Sequence, residues 1–183
     1  MSTPFSIKTP DDQLVLACKS KDRLAQRYLY EKHFPPLMRR ALRYTKNDRD
    51  HALDILNRSF LKIFTNIAAF KGENFEAWAS RIVVNTAIDS LRAATNYQES
   101  TSLDDIHTEP TTAADALNNL NFSDLQTHIN QLSTATRTVF ILHAIDGYKQ
   151  QEIADLLKIS EGTVKWHFSN AKTLLRQKIM AME

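Results

Sequence analysis

The sequence is poor in three residue types on which other architectures depend. Its single cysteine, Cys18, rules out an intrachain disulfide and a Cys-rich zinc site. Only three glycines and five prolines occur in 183 residues, which favours helices over a turn-rich β architecture. The sequence therefore predicts an all-α protein built from one domain of ordinary size or two small ones.

Long apolar runs and metal-ligand patterns are also missing. No run could span a bilayer, and residues 1–8 lack the apolar core of a signal peptide. The six histidines are scattered without metal-ligand spacing. These observations predict a cytoplasmic protein with no metal and no cofactor.

Charge is distributed unevenly behind a net value of +2. Residues 1–95 carry 16 basic and 10 acidic side chains, and residues 96–121 carry five acids and no base. Residues 122–183 carry seven bases and six acids. Because 96–121 is also rich in Thr, Ser and Asn without periodicity, we expect a flexible acidic linker between helical domains at 1–95 and 122–183.

Apolar spacing predicts several helices in the first domain. Residues 11–45 suggest two helices that Pro35-Pro36 would separate, because proline disrupts a helix interior. A clearer helix runs from Asp48 to about Ala69, and another covers about 75–94. On this last helix, four polar residues share one face, which is either solvated or a binding surface: Arg81, Asn85, Asp89 and Arg92.

The last fifty residues have the pattern of a helix-turn-helix, which places one helix in the DNA major groove. Ser160 is a good N-cap for the second helix. Residues 162–180 carry four basic side chains and no acidic one. A charge run alone would favour an ordinary helical hairpin with a solvated face, but here the apolar register, the cap, the turn and the basic face agree, which favours a helix that contacts DNA phosphates. The residues expected to meet duplex DNA are Gly162, Thr163, Lys165, Trp166, Ser169, Lys172 and Arg176.

Two segments together resemble the extracytoplasmic-function (ECF, group 4) sigma factors of the sigma-70 family. The tail run Glu152-Ile153-Ala154 to Gly162-Thr163-Val164-Lys165 is similar to sigma region 4, although LuxR-type regulators carry a similar tail. The front half discriminates, because residues 54–64 resemble region 2.2 and residues 75–92 resemble regions 2.3 and 2.4. The order Trp78, Arg81-Ile82, Asn85, Asp89, Arg92 carries the second match.

The resemblance implies a non-enzymatic promoter-recognition subunit of bacterial RNA polymerase. Its implied partners are the core polymerase (β′ clamp and β flap), promoter DNA and an anti-sigma factor. Implied polymerase-binding residues are Asp54, Ile55, Asn57 and Arg58. Implied −10 contacts are Lys71, Asn74, Arg81, Asn85 and Arg92, while the tail helix would read the −35 element.

The chain departs from the family pattern at three positions. Asn57 replaces a common Gln, and Lys149 replaces a common Ser/Thr helix cap, at a cost of about 1 kcal/mol. Lys158 replaces a common turn Gly, which costs about 1 kcal/mol or more if that residue is left-handed.

Two other functions remain open from the residues alone. One is a LuxR-like regulator that binds duplex DNA without polymerase. The other is a helical nuclease that holds Mg²⁺ with Asp48, Asp50 and Asp54, although no phosphate loop or second acidic cluster accompanies them.

Overall fold

The computed structural model describes residues 5–72, 74–101 and 122–180, with side chains for 5–72, 74–93 and 125–178. Every regular element within these ranges is helical, which confirms the all-α prediction. The chain divides into two compact units, unit 1 (Met1–Asn96) and unit 2 (Tyr97–Glu183).

Four helices build unit 1. They are α1 (Asp11–Lys19), α2 (Arg23–Tyr44), α3 (Arg49–Asn66) and α4 (Phe75–Thr101), with a 3₁₀ turn at Ile67–Ala69 after α3. Acidic side chains cap the N-termini of two of these helices, α2 and α3. Asp22 accepts the N–H groups of Leu24 and Ala25 at 2.8 and 2.9 Å, and Asp48 accepts that of His51 at 3.0 Å. These are the residue type and geometry that satisfy the orphan donors of a helix N-terminus.

The predicted break at Pro35-Pro36 is wrong, since α2 continues through both prolines. Each proline removes a helix hydrogen bond, at a cost of about 3 kcal/mol or more. The buried stripe of α2 explains the continuity, because Leu29, His33, Leu37 and Ala41 keep a four-residue spacing across the prolines. Ending the helix there would take Leu37 and Ala41, both fully buried, out of register with the first half.

Aromatic rings fill the centre of unit 1. Phe75, which is 1% exposed, has ring-centroid distances of 4.8 Å to His33, 5.8 Å to Phe70 and 5.8 Å to Trp78. Trp78 is half-buried in this cluster and also contacts Phe70 at 5.2 Å. Trp78 therefore packs with the aromatic core of unit 1.

Asp11 ties α1 to α2. Its carboxylate lies 2.7 Å from Lys32 Nζ and 3.0 Å from His33 Nε2. Partial burial acts to raise the pKa of Asp11, but the hydrogen bonds and charges of Lys32 and His33 outweigh it and hold that pKa below its usual value. The pair fixes α1 against the helix that carries the buried stripe.

Helix α4 is longer than predicted. It continues through Thr101, so the first residues of the expected linker are helical. The rest of that linker, residues 102–121, lies outside the described residues.

The described residues of unit 2 include four helices around a small core. They are α5 (Phe122–Asn130), α6 (Thr134–Phe140), α7 (Gln150–Leu157) and α8 (Glu161–Met180), and α6 leads into a π-helical turn at Ile141–Ile145. Val139, Leu142, Ile153, Val164 and Ala171 are fully buried. Arg137 is also 2% exposed, and burial lowers the pKa of its guanidinium.

Candidate nucleic-acid interface

The turn between α7 and α8 has helix-turn-helix geometry. Lys158 ends α7 in the left-handed conformation, at φ 55° and ψ 43°, and Ile159 N–H donates to the Ala154 carbonyl at 3.1 Å. Ser160 then accepts the Thr163 N–H at 3.0 Å. The expected serine cap is confirmed, and Lys158 meets the condition under which a residue other than glycine carries strain.

The start of α7 is capped differently from the family pattern. Lys149 has no side-chain acceptor, but its backbone N–H donates to the Glu152 carboxylate at 2.8 Å. This is the second half of a capping box, in which the residue at N3 reaches back to the cap. Glu152 therefore makes up for part of the stability that is lost because Lys149 has no capping hydroxyl.

Helix α8 has one buried face and one cationic face. Val164, Ala171 and Leu175 are buried and Phe168 is half-buried, as the apolar spacing predicts. Five of the predicted DNA contacts are exposed on the other side, namely Lys165, Trp166, Ser169, Lys172 and Arg176. At about 100° per residue, Lys165, Ser169, Lys172 and Arg176 fall within about 60° of one another.

Two aromatic contacts shape this face. Lys172 Nζ lies 5.1 Å from the centroid of the Phe168 ring, so its stem runs along the helix surface. Trp166 is 61% exposed and its indole meets the His167 ring edge-on at 4.8 Å. A large exposed ring beside cations is suited to apolar contact with a thymine methyl or a sugar.

His167 connects α8 to α6. Its Nδ1 lies 3.0 Å from Thr136 Oγ1, and burial lowers its pKa. The His167 ring also meets the Trp166 indole edge-on and so supports the position of Trp166.

Unit 1 also has an exposed polar face, which lies on α4. Arg81, Asn85 and Asp89 are exposed, and Arg92 is partly exposed. Asp89 lies 3.5 Å from Lys62 Nζ on α3, and the same Nζ is 3.1 Å from Thr86 Oγ1. This partner of Asp89 comes from the neighbouring helix rather than from α4 itself.

The loop before α4 carries two predicted contacts, Lys71 and Asn74, whose side chains differ in their hydrogen bonding. Lys71 is exposed, and the loop is anchored where Lys19 Nζ donates to the Phe70 carbonyl at 2.8 Å. Asn74 is also exposed, but its Oδ1 accepts the Ala77 N–H at 2.9 Å and so caps α4. Only the amide nitrogen of Asn74 remains to donate to a nucleic acid.

The predicted polymerase-binding residues on α3 do not share one environment. Asp54, Asn57 and Arg58 are exposed, with Asp54 and Arg58 3.6 Å apart. Ile55 is 1% exposed, so it cannot contact a partner while unit 1 is folded. It lies on the inner side of the amphipathic helix and seats α3 in the core.

Two leucines on α3 were missed by the sequence analysis. Leu53 and Leu61 are 37% and 70% exposed, and Asn57 lies between them at four-residue spacing. They fall outside the buried stripe of α3. An apolar residue off that stripe is the sequence signal that could have identified them.

The described residues do not support the nuclease alternative. Asp48 is occupied in capping α3, and Asp54 is paired with Arg58. No group of three His, Cys, Asp or Glu side chains in the described ranges is arranged to hold a metal ion. Cys18 is buried, and burial together with the charge of Asp22 raises the pKa of its thiol to about 11.

Comparison with known proteins decides the family. Residues 29–97 match Sigma-70 region 2, and residues 123–175 match Sigma-70, region 4. The matches together cover more than half of the chain. The chain belongs to the sigma-70 family, in its extracytoplasmic-function (ECF) group.

Individual relatives agree with this assignment. The ECF RNA polymerase sigma-E factor of Haemophilus influenzae is 27% identical over 188 residues, covering 94% of this chain and 96% of that protein. The sigma factor SigV of Bacillus subtilis is 29% identical over 145 residues, covering 79% and 84%. This ECF sigma factor is therefore a non-enzymatic factor that directs transcription initiation with RNA polymerase.

Solved structures show the same fold. The sigma factor RpoE of Bartonella quintana, in complex with the anti-sigma factor NepR, aligns with a TM-score of 0.55 at 20% identity over 86% of this chain and 98% of that chain. CnrH, in complex with the cytosolic domain of CnrY, aligns with a TM-score of 0.52 at 22% identity over 94% and 99%. Within the described residues, no helix of this sigma factor is long and apolar enough to cross a bilayer.

Proposed function

We propose that the two units of this sigma factor act on different states of one promoter, unit 1 on the −10 element as it melts and unit 2 on the −35 element as duplex. In this division, residues 1–95 bind polymerase and the −10 element, residues 96–121 connect, and residues 122–183 bind the −35 element. The observation that carries the proposal is the cationic outer face of α8 beyond a capped N-terminus. A helix with these features fits the major groove.

For unit 2, duplex contacts are assigned to the exposed face of α8. Lys165, Lys172 and Arg176 would neutralise phosphates or donate to base edges, and Trp166 and Ser169 would contact bases or sugars. Gly162 and Thr163 lie at the helix N-terminus, where backbone N–H groups approach phosphate. Thr163 Oγ1 lies 2.8 Å from Ser160 Oγ, and this hydrogen bond orients the Thr163 side chain at the helix N-terminus.

For unit 1, melting contacts are assigned to α4 and the loop before it. Taking a base out of the stack costs a few kcal/mol, which a polar face and nearby cations can offset. Arg81, Asn85 and Arg92 supply that face, and Lys71 and the Asn74 amide supply the loop. Asp89 is left out, because a carboxylate is repelled by phosphate and Lys62 already pairs with it.

Core polymerase binding is assigned to the exposed side of α3. Leu53 and Leu61 give apolar area on either side of Asn57, and Asp54 and Arg58 add a polar rim. Such a mixture is typical of protein interfaces, which combine an apolar centre with polar edges. The β′ clamp is the proposed partner of this surface, and the β flap is the proposed partner of unit 2.

An anti-sigma factor is the proposed regulator, and the cytoplasm the proposed compartment. Among solved structures of the same fold, the sigma factor RpoE of Bartonella quintana is in complex with the anti-sigma factor NepR, and CnrH is in complex with the cytosolic domain of CnrY. The exposed leucines of α3 are surfaces that a factor competing with polymerase could cover.

The test is reconstitution with bacterial core RNA polymerase. We expect stable co-purification and sequence-selective initiation from genomic fragments. Leu61→Asp should reduce co-purification, whereas Leu16→Asp, a matched change at another leucine that is 70% exposed, should not. Tight binding to duplex DNA without any binding to core polymerase would contradict the proposal.

A further inference from the structure

Lys19, the last residue of α1, contacts the start of the loop before α4. Its Nζ donates to the Phe70 carbonyl at 2.8 Å, across 51 positions of the chain. Hydrogen bonds from an ionised donor are stronger than those between neutral groups. Lys19 also lies outside residues 29–97, which match Sigma-70 region 2, so the family match assigns it no role.

The far end of this loop is held by its own helix. Asn74 Oδ1 accepts the Ala77 N–H at 2.9 Å, and the Asn74 carbonyl accepts the Trp78 N–H at 3.3 Å. Both contacts join residues three or four positions apart. They fix where α4 begins, but they do not reach the part of the loop that follows Phe70.

The near end of the loop is built on Phe70. This buried residue follows the 3₁₀ turn, and its ring packs against Phe75 and Trp78 with centroid distances of 5.8 and 5.2 Å. A Cβ added to Gly72 would lie 3.4 Å from Phe70 Cε2, so the loop backbone passes close to the ring. The position of Phe70 therefore governs where the exposed Lys71 leaves the surface of unit 1.

The helix that carries Lys19 is itself firmly seated. Cys18, the residue before it, is buried, and α1 packs against both α2 and the 3₁₀ turn. At the opposite end of α1, the Asp11 carboxylate pairs with two side chains of α2. The Lys19 side chain therefore reaches the Phe70 carbonyl from a fixed backbone position.

We infer that Lys19 is a positioning residue for −10 recognition. By holding the Phe70 carbonyl, it fixes the path of the loop and so determines how strongly this sigma factor discriminates between −10 sequences. The inference rests on the proposed function, in which Lys71 and the Asn74 amide meet melted bases. Since hydrogen bonds weaken steeply as distance and angle change, a small displacement of the loop reduces selection while unit 1 stays folded.

The test measures −10 discrimination by the reconstituted holoenzyme. Two fork templates present the −10 element already single-stranded, one with the sequence at which the wild type initiates and one with its −10 bases substituted. Lys19→Met keeps an unbranched stem without the donors, Lys19→Arg restores a charged donor, and Lys8→Met removes another exposed lysine. The ratio of affinities for the two templates should fall by at least ~5-fold in Lys19→Met, the lower end of the range for one base contact, and stay near the wild-type value in the other two variants.

The ratio separates positioning from two simpler roles of Lys19. Partial unfolding of unit 1, or loss of a direct contact between Lys19 and phosphate, would lower binding to both templates equally. An unchanged ratio in Lys19→Met, with or without such a loss, would therefore overturn the inference, and so would an equal fall of the ratio in Lys19→Arg or Lys8→Met. A wild-type holoenzyme that initiates but binds both templates equally would instead overturn the proposed −10 role of unit 1, and the inference with it.

Discussion

The two units assemble their proposed DNA surfaces over very different sequence distances. In unit 2, the turn, the cap and the exposed cations lie on α7 and α8, and the key contacts join residues three to five apart. In unit 1, the surface depends on contacts between helices, such as Lys62 with Asp89 and His51 with Ser90. The proposed duplex-reading surface is therefore specified largely by local contacts, whereas the proposed surface for melted DNA depends on contacts between packed helices.

The largest expected effect comes from removing the packing behind the unit 1 surface. Phe75→Ala deletes a ring that contacts His33, Phe70 and Trp78. Large-to-small changes of this kind cost about 3–5 kcal/mol. Amide hydrogen exchange should show lost protection across α2, α3 and the first turns of α4. Leu61→Ala, at a residue that is 70% exposed, should change the unfolding free energy by less than about 0.5 kcal/mol, and equal effects of the two changes would contradict a core role for Phe75.

Next in size is the effect of the α4 face on promoter opening. Asn85→Ala and Arg92→Ala each remove a proposed base or phosphate contact, worth about 1–3 kcal/mol, which corresponds to roughly 5- to 150-fold in opening. Permanganate footprinting of the holoenzyme should show weaker melting, while closed-complex binding changes less. Asn66→Ala, which alters an exposed amide on α3 that bonds the Lys62 carbonyl, serves as the control. Normal melting in both α4 variants would contradict the assignment of this face to promoter opening.

A smaller effect should follow from the cations of α8. Lys165→Ala with Lys172→Ala removes two exposed charges, and the second change also removes the contact over the Phe168 ring. Transcription from a −35-dependent promoter should fall, and the salt slope of binding should decrease by about 2. Circular dichroism should show that unit 2 remains folded.

The control for that pair is K8Q/K21Q, which removes two exposed charges from unit 1. Unchanged transcription by the α8 variant on the −35-dependent promoter would contradict the assignment of this helix.

The smallest effect concerns the turn itself. Lys158 adopts φ 55°, where glycine avoids a strain of about 1 kcal/mol that other residues carry. Part of that gain is offset by the larger backbone entropy that glycine loses on folding. Lys158→Gly should therefore raise the melting temperature of unit 2 by a few degrees, measured by thermal denaturation. Lys158→Ala keeps the strain, so a similar rise in that variant would refute the explanation.

Sequence reasoning succeeded where the signals were local. The serine cap at Ser160 and the two-sided helix α8 both depend on residues close together in the chain. Each follows from intrinsic preferences of caps, turns and apolar spacing.

Reasoning from local preference was less successful in unit 1. Proline preference predicted a break in α2, but burial on both sides of Pro35-Pro36 keeps the helix continuous. The role of Asn74 as a cap and the Lys62 partner of Asp89 depend on where neighbouring elements begin and pack. Ile55 was grouped with its exposed neighbours because a motif does not state which side of its helix is buried.

The most direct test compares both sets of variants on one promoter with one holoenzyme. DNase footprinting would report duplex protection over the −35 element, and permanganate would report melting at the −10 element. We predict that Lys165→Ala with Lys172→Ala lowers −35 protection while the complexes that form still melt, and that Asn85→Ala lowers melting while −35 protection persists. Loss of both signals to the same extent in both variants would contradict the division of duplex reading and melting between the two units.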